Sequence, residues 1–254
     1  MTHTLDMLSS YFQMRERQVT SAWLLPLIVP GIVGFWSSPS DNAKNWHDVI
    51  SGKSLTDHGS PTVGIATSAP GLLVPYWTFD GSSDYFSRND ETALSIVGDI
   101  TVAAWVRWDD FDVTEGIVNK WETSGGNNRS YALYSDASNQ LNFAISEDGG
   151  VANMATATYG TALSAETWYF AQGRFDMNSL VGARVDNGTW GTTSAAGLTA
   201  IDDNGSDFRI AEYNETAGNR FDGRIAQVWL SCYYVPSEVL DYIYAEQAAF
   251  FGKS

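Results

Sequence analysis

From about residue 31 to residue 235, short runs of β-branched and aromatic residues alternate with clusters of Gly, Asn, Asp and Ser. That rhythm constrains the chain more than any other feature, because a strand needs only four to eight such residues and a turn needs the small polar ones. The runs at 76–79, 101–108, 116–121, 131–134, 141–145, 168–175, 182–185, 207–211 and 223–230 read as strands, and Gly31-Ile-Val-Gly-Phe-Trp36 as the first of them. In the run 101–108, Val102, Ala104, Val106 and Trp108 share one face and Thr101, Ala103, Trp105 and Arg107 the other. Apolar bulk on both faces marks a central strand. Many short strands with turn signals between them predict an all-β, two-sheet antiparallel sandwich.

Two segments depart from the period of two. Leu5, Leu8, Phe12, Val19 and Trp23 recur at helical spacing, with Arg15, Glu16 and Arg17 between them. They predict an amphipathic N-terminal helical arm whose apolar stripe needs a partner. Residues 1–30 are read as this arm with a linker stiffened by Pro26 and Pro30, and residues 31–254 as the sandwich domain. Near the end, Val239, Tyr242, Ile243 and Glu246 follow Pro236 and Ser237, which predicts a short C-terminal helix capped by Ser237. Asp186-Asn187-Gly188 predicts a tight hairpin in which Asn and Gly take positive φ.

Charge and composition exclude several roles. Thirty acidic against fourteen basic residues give a net charge of −16, which disfavours nucleic acid and anionic membrane surfaces. The apolar run 23–36 is broken by prolines and too short to span a bilayer. Cys232 is the one cysteine, so no intrachain disulfide forms, and its apolar surroundings predict a buried thiol. The opening residues carry no secretion signal pattern. Only His3, His47 and His58 are present, and none has metal-ligand spacing, so neither a zinc site nor a histidine triad is expected. No enzyme is expected.

Six segments, in order, resemble the laminin-G-like domains of the concanavalin A-like lectin/glucanase superfamily: 31–36, Phe79-Asp-Gly-Ser-Ser-Asp-Tyr85, 101–108, Glu166 to Asp176, Ala183-Arg-Val-Asp-Asn-Gly188, and Phe208 to Ala211 followed by Phe221-Asp-Gly-Arg-Ile225. The resemblance implies a jelly-roll form of the sandwich. Related glycan hydrolases use a Glu-x-Asp-x-x-Glu strand, which is missing here. Calcium is the cofactor the resemblance implies, with Asp202, Asp203, Asn204 and Asp207 as its loop donors, although the position where the family often has Asp after Ile is Ala226. Glycan recognition needs exposed rings beside amides. Trp121, Tyr134, Trp190 and Tyr213, with Asn128 and Asn139, are the candidates. The resulting expectation is a virion or surface-assembly protein of phage decoration type, forming a homo-oligomer and docked through residues 1–30. A free-standing lectin and a polysaccharide-active enzyme are the alternatives.

Overall fold

The computed structural model describes residues 22–37, 45–67, 73–124, 126–214 and 218–253. Among them the chain is all-β apart from short helical segments, as the sequence pattern requires. One sheet orders β13 (Gly191–Ser194), β12 (Leu180–Val185), β11 (Trp168–Asp176), β6 (Ile100–Trp108), β15 (Asp222–Ser231), β4 (Leu73–Asp80) and β3 (Thr62–Thr67). Strand β1 (Ile32–Ser37) is its eighth member. The second sheet orders β10 (Met154–Thr158), β9 (Leu141–Ser146), β8 (Asn128–Ser135), β7 (Glu115–Glu122), β14 (Phe208–Ile210), β5 (Tyr85–Arg88) and β2 (Thr56–His58). These pairings are antiparallel.

Strand β15 is the hinge of the first sheet. One edge pairs with β6 along most of its length; on the other edge, Asp222–Ile225 pair with β4 and residues 227–231 with β1. A register shift at Ala226 separates the two halves. A bulge of this kind bends a strand and lets two short partners share one edge.

The main core lies between the sheets. Val102, Ala104, Val106 and Trp108 of β6 meet Tyr131 and Leu133 of β8 and Phe143 and Ile145 of β9 there. Trp108 Nε1 donates to Ser135 Oγ at 3.0 Å, and Tyr131 OH donates to the Leu94 carbonyl at 3.0 Å, so these two buried polar tips have partners.

The other face of β6 is also buried, as its sequence implied. Ala103 and Trp105 join Phe35, Val74, Phe170 and Trp229 under a layer made by α1 (Ser237–Gln247), the 3₁₀ turn Ala248–Phe251 and residues 22–29. Trp105 stacks on Phe251 with centroids 3.9 Å apart, and Trp23 packs against Phe250 and Phe251 at 5.9 Å. Buried amides lace this layer. Gln247 Oε1 accepts from Trp105 Nε1 at 2.7 Å, while Gln247 Nε2 donates to the Ala22 carbonyl and to Gln227 Oε1; Gln227 Nε2 donates to the Trp23 carbonyl. Leu5, Leu8, Phe12 and Val19 of the expected arm lie outside the described residues, whereas Trp23 and the rest of 22–29 lie against the sandwich.

Three local expectations change. Cys232 is exposed, because β15 ends at Ser231 and the chain turns outward there. Ser237 is the first helical residue and makes no cap bond; its hydroxyl accepts instead from Arg174 Nη1 at 3.1 Å and Trp190 Nε1 at 3.0 Å. In the 186–188 hairpin the positive φ, 55°, falls on Asp186. Asp tolerates the left-handed region, and its carboxylate is anchored by Phe170 N at 2.9 Å and Lys253 Nζ at 2.7 Å.

Gln247→Leu strands Trp105 Nε1 and the Ala22 carbonyl without partners in a dry layer. Its unfolding free energy, from urea denaturation, is expected to fall by about 3 kcal/mol, since each buried orphan costs roughly 1–3.

Candidate functional site

Strand alternation turns one set of side chains of the second sheet away from the core. Four of them form a row across four strands, Asn119, Ala132, Ala144 and Thr156, each directly opposite the next. A second row holds Tyr134, Asn142 and Thr158. Small residues in the first row leave a low floor, and Trp121, Tyr134 and Tyr213 pack around it. Tyr213 lies 4.8 Å from Tyr134 and 6.3 Å from Trp121, centroid to centroid.

The placement of Tyr213 follows from its neighbours. A Cβ at Gly116 would stand 2.4–2.5 Å from the backbone of Glu212 and Tyr213, so only glycine lets that segment close onto β7. Ala211, just before it, holds a φ of 69°. Such backbone strain costs an alanine about 1–2 kcal/mol and persists only where the surroundings over-determine it. Here the surroundings are Glu212, whose carbonyl accepts from Asn119 Nδ2 and whose carboxylate binds Arg209 and Arg220.

Burial pushes the phenols of Tyr134 and Tyr213 upward, so both remain neutral hydroxyls. Beneath them, Asn119 Oδ1 and Ser130 Oγ are buried with no hydrogen-bond partner. The rings therefore close over a small-residue floor that is itself out of solvent, and Tyr134 and Tyr213 are the part of the cluster that solvent reaches.

Three of the four expected rings meet on this face. Trp190 does not: it sits against the outer side of the first sheet, stacked on Arg174 at 3.7 Å and Arg184 at 4.7 Å, with its indole tied to Ser237. Asn128 begins β8, where its carbonyl faces Ser206 Oγ at 3.5 Å. Asn139 is a turn residue with φ 61°, its N–H donating to the Asp136 carbonyl at 2.9 Å. Sequence reading missed Asn119, Ser130 and Asn142. Their signal was their place in the strand alternation, opposite the core positions of the same strands.

The loop 202–207 does not fit calcium. The fully buried Lys120 places its ammonium on the Asn204 carbonyl, 3.4 Å from Asn204 Oδ1 and 3.1 Å from Asp90 Oδ1. Asp202 Oδ2 accepts from Asn204 Nδ2 at 2.8 Å, Asp207 faces Arg209 at 3.6 Å, and Asp203 is exposed. Three of the four expected donors are engaged by the chain's own cations and amides, and the fourth, Asp203, faces solvent. Among the described residues no group of three or more His, Cys, Asp or Glu could hold a metal ion.

At one end of the sandwich, burial lifts the Glu115 carboxyl to about 9, with Asp110, Asp222 and Asp112 adding to the rise. It is therefore protonated at neutral pH.

These features define an antiparallel sandwich with an aromatic cluster, largely buried, on the outer side of one sheet. Residues 80–236, more than half of the chain, match the model of the concanavalin A-like lectin/glucanases superfamily, and the chain belongs to that superfamily. No curated protein matches it by sequence. Solved structures similar to it include the binding domain of Paraclostridial Mosquitocidal Protein 1 (13% identity, TM-score 0.67, covering 90% of this chain and 56% of that one). The binding domain of botulinum neurotoxin serotype G is also similar (11%, TM-score 0.63, 87% and 54%). A third is botulinum neurotoxin type C, whose cell entry depends upon interaction with two ganglioside molecules (11%, TM-score 0.60, 85% and 51%). At such identities the likeness is one of fold, consistent with a jelly roll. The chain spans about half the length of these structures.

Two outcomes are expected. Lys120→Met removes a buried cation from its partners and should cost about 3–5 kcal/mol, while the melting temperature of the unaltered protein should be the same in calcium chloride and in EDTA. For Glu115, the unfolded carboxyl ionises above about 4.5 and the folded one only above about 9, so its contribution to stability is complete below the first value and is lost as pH rises through the second. Glu115→Gln should therefore gain stability over the parent protein as pH goes from 5.5 to 8.5 in paired thermal melts.

Proposed function

We propose that this chain is a non-catalytic, carbohydrate-binding module that engages glycans through the outer face of its seven-stranded sheet. The observation that carries the reading is the half-buried pair Tyr134 and Tyr213, which pack with the buried Trp121 over Ala132 and Ala144 on that side of the sheet. Rings offer a flat apolar surface to the C–H face of a pyranose, and amide and hydroxyl groups meet its hydroxyls. Membership of a lectin/glucanase superfamily supports the same ligand class, as does the ganglioside dependence of one neighbour. The acidic surface favours neutral over anionic glycans.

A second reading, a phage decoration or other surface-assembly protein, is favoured by one observation. The Ala22 and Trp23 carbonyls are held by Gln247 and Gln227, so whatever precedes them departs from a fixed point on the helix layer. The two readings are compatible, with residues 1–21 docking or joining subunits in a virion and the tyrosine pair meeting host glycans.

One comparison separates them. On a glycan array, Tyr213→Ala and Trp121→Ala should each weaken binding at least about tenfold, the equivalent of 1.4 kcal/mol, with melting curves showing that the variants remain folded. Binding unchanged by both would refute the glycan reading. Protein lacking residues 1–21 should keep its glycan binding and elute as a monomer; an unchanged oligomer would exclude those residues as the joining element.

A further inference from the structure

The N-terminus of α1 is left open. Pro236 precedes it with no N–H of its own, no side chain caps it, and the backbone N–H groups of Ser237 and Glu238 donate to nothing among the described residues. The first N–H groups of a helix have no partner inside it and carry the positive end of its dipole.

The Ser237 hydroxyl adds a third donor. Its oxygen accepts from Arg174 Nη1 at 3.1 Å and from Trp190 Nε1 at 3.0 Å. A hydroxyl has two lone pairs and one hydrogen, so with both lone pairs taken only the hydrogen is left to offer. No acceptor takes it among the described residues.

Arg174 is the fourth donor and supplies the charge. It is 7% exposed, and its guanidinium lies over the rings of both Trp190 and Tyr234, 3.7 and 4.3 Å from their centroids. Nη1 is spent on Ser237 and, at 3.4 Å, on the Val235 carbonyl. Nε and Nη2 have no partner among the described residues. Arg184, stacked on the same indole, has the Asp241 carboxylate at 2.8 Å, but Arg174 makes no ion pair among the described residues, and Asp176 and Glu238 act on it only from farther away. A cation buried this deeply without an anion beside it is costly unless something outside the chain supplies one.

We propose that the start of α1 and Arg174 together bind an oxyanion of the phosphate type, free or as the end group of a phosphomonoester. Such a group consists of acceptors and negative charge, the complement of the Ser237 and Glu238 N–H groups, the Ser237 hydroxyl and the Arg174 guanidinium. Stacking on Trp190 and Tyr234 fixes the guanidinium before the ligand arrives, which lowers the cost of ordering it. The site lies on the outer side of the first sheet and does not depend on the aromatic cluster of the second.

The test is a residue-resolved NMR titration of the full chain with sodium phosphate and, separately, with O-phosphoserine, each compared with sodium chloride at equal ionic strength. Shifts that saturate with a dissociation constant of about 1 mM or lower are expected at the amides of Ser237 and Glu238 and at the Trp190 indole. Saturation by phosphate alone assigns the site to the free ion, and saturation by phosphoserine assigns it to a phosphomonoester; either supports the proposal. Arg174→Gln should weaken the binding at least about tenfold. Ser237→Pro removes the hydroxyl and one backbone donor at a helical position that tolerates proline; read at Glu238, it should also weaken binding, and it serves if Arg174→Gln does not fold. Tyr213→Ala should leave these shifts intact, so that failure here and failure of the glycan reading are told apart. The proposal is overturned if neither ligand gives saturating shifts beyond those of chloride, or if the folded variants bind as before.

Discussion

Everything in this fold depends on burying both faces of the eight-stranded sheet. One face has the seven-stranded sheet against it, but the other carries Phe35, Ala103, Trp105, Phe170 and Trp229, which no third sheet covers. Each large ring withdraws roughly 150–250 Å² from water on burial, so an uncovered face of this kind would make the domain stick to other proteins. The chain answers with its own two flanks. Residues 22–29 and the stretch from α1 to Phe251 close the face together, and Gln247 and Gln227 satisfy the backbone carbonyls that this closure buries.

The outer side of the second sheet is closed differently, by aromatic rings and not by helices. On the outer side of the second sheet, β7, β8 and β9 carry small residues, and Trp121, Tyr134 and Tyr213 pack over them, with the two tyrosines reaching solvent in part. The strain at Ala211 and the absence of a side chain at Gly116 serve that arrangement by pressing the Tyr213 segment onto the sheet.

Much of this was legible in the sequence, for physical reasons that differ by element. Strands such as β6 and β11 are long and rich in β-branched and aromatic residues, so their period of two is plain, and the two apolar faces of 101–108 correctly implied burial on both sides. Strands β2, β3, β5, β10 and β13 did not stand out. They are short, several carry Gly, Ser or Thr in place of bulk, and they form through pairing with neighbours that sequence alone does not reveal. The aromatic site was visible as residue types and invisible as a constellation, since Trp121, Tyr134 and Tyr213 come from separate parts of the chain and Trp190, equally plausible by composition, faces the helix layer. The loop 202–207 misled for the opposite reason: its oxygens are where the sequence suggests, but Lys120 reaches them from 84 residues before Asn204.

That lysine has a consequence for the environments in which the domain can work. A loop whose positive charge is tethered to the polypeptide cannot lose it to dilution, to competing chelators or to a calcium-poor medium. Its shape is inherited with the chain and need not be assembled anew from the surroundings.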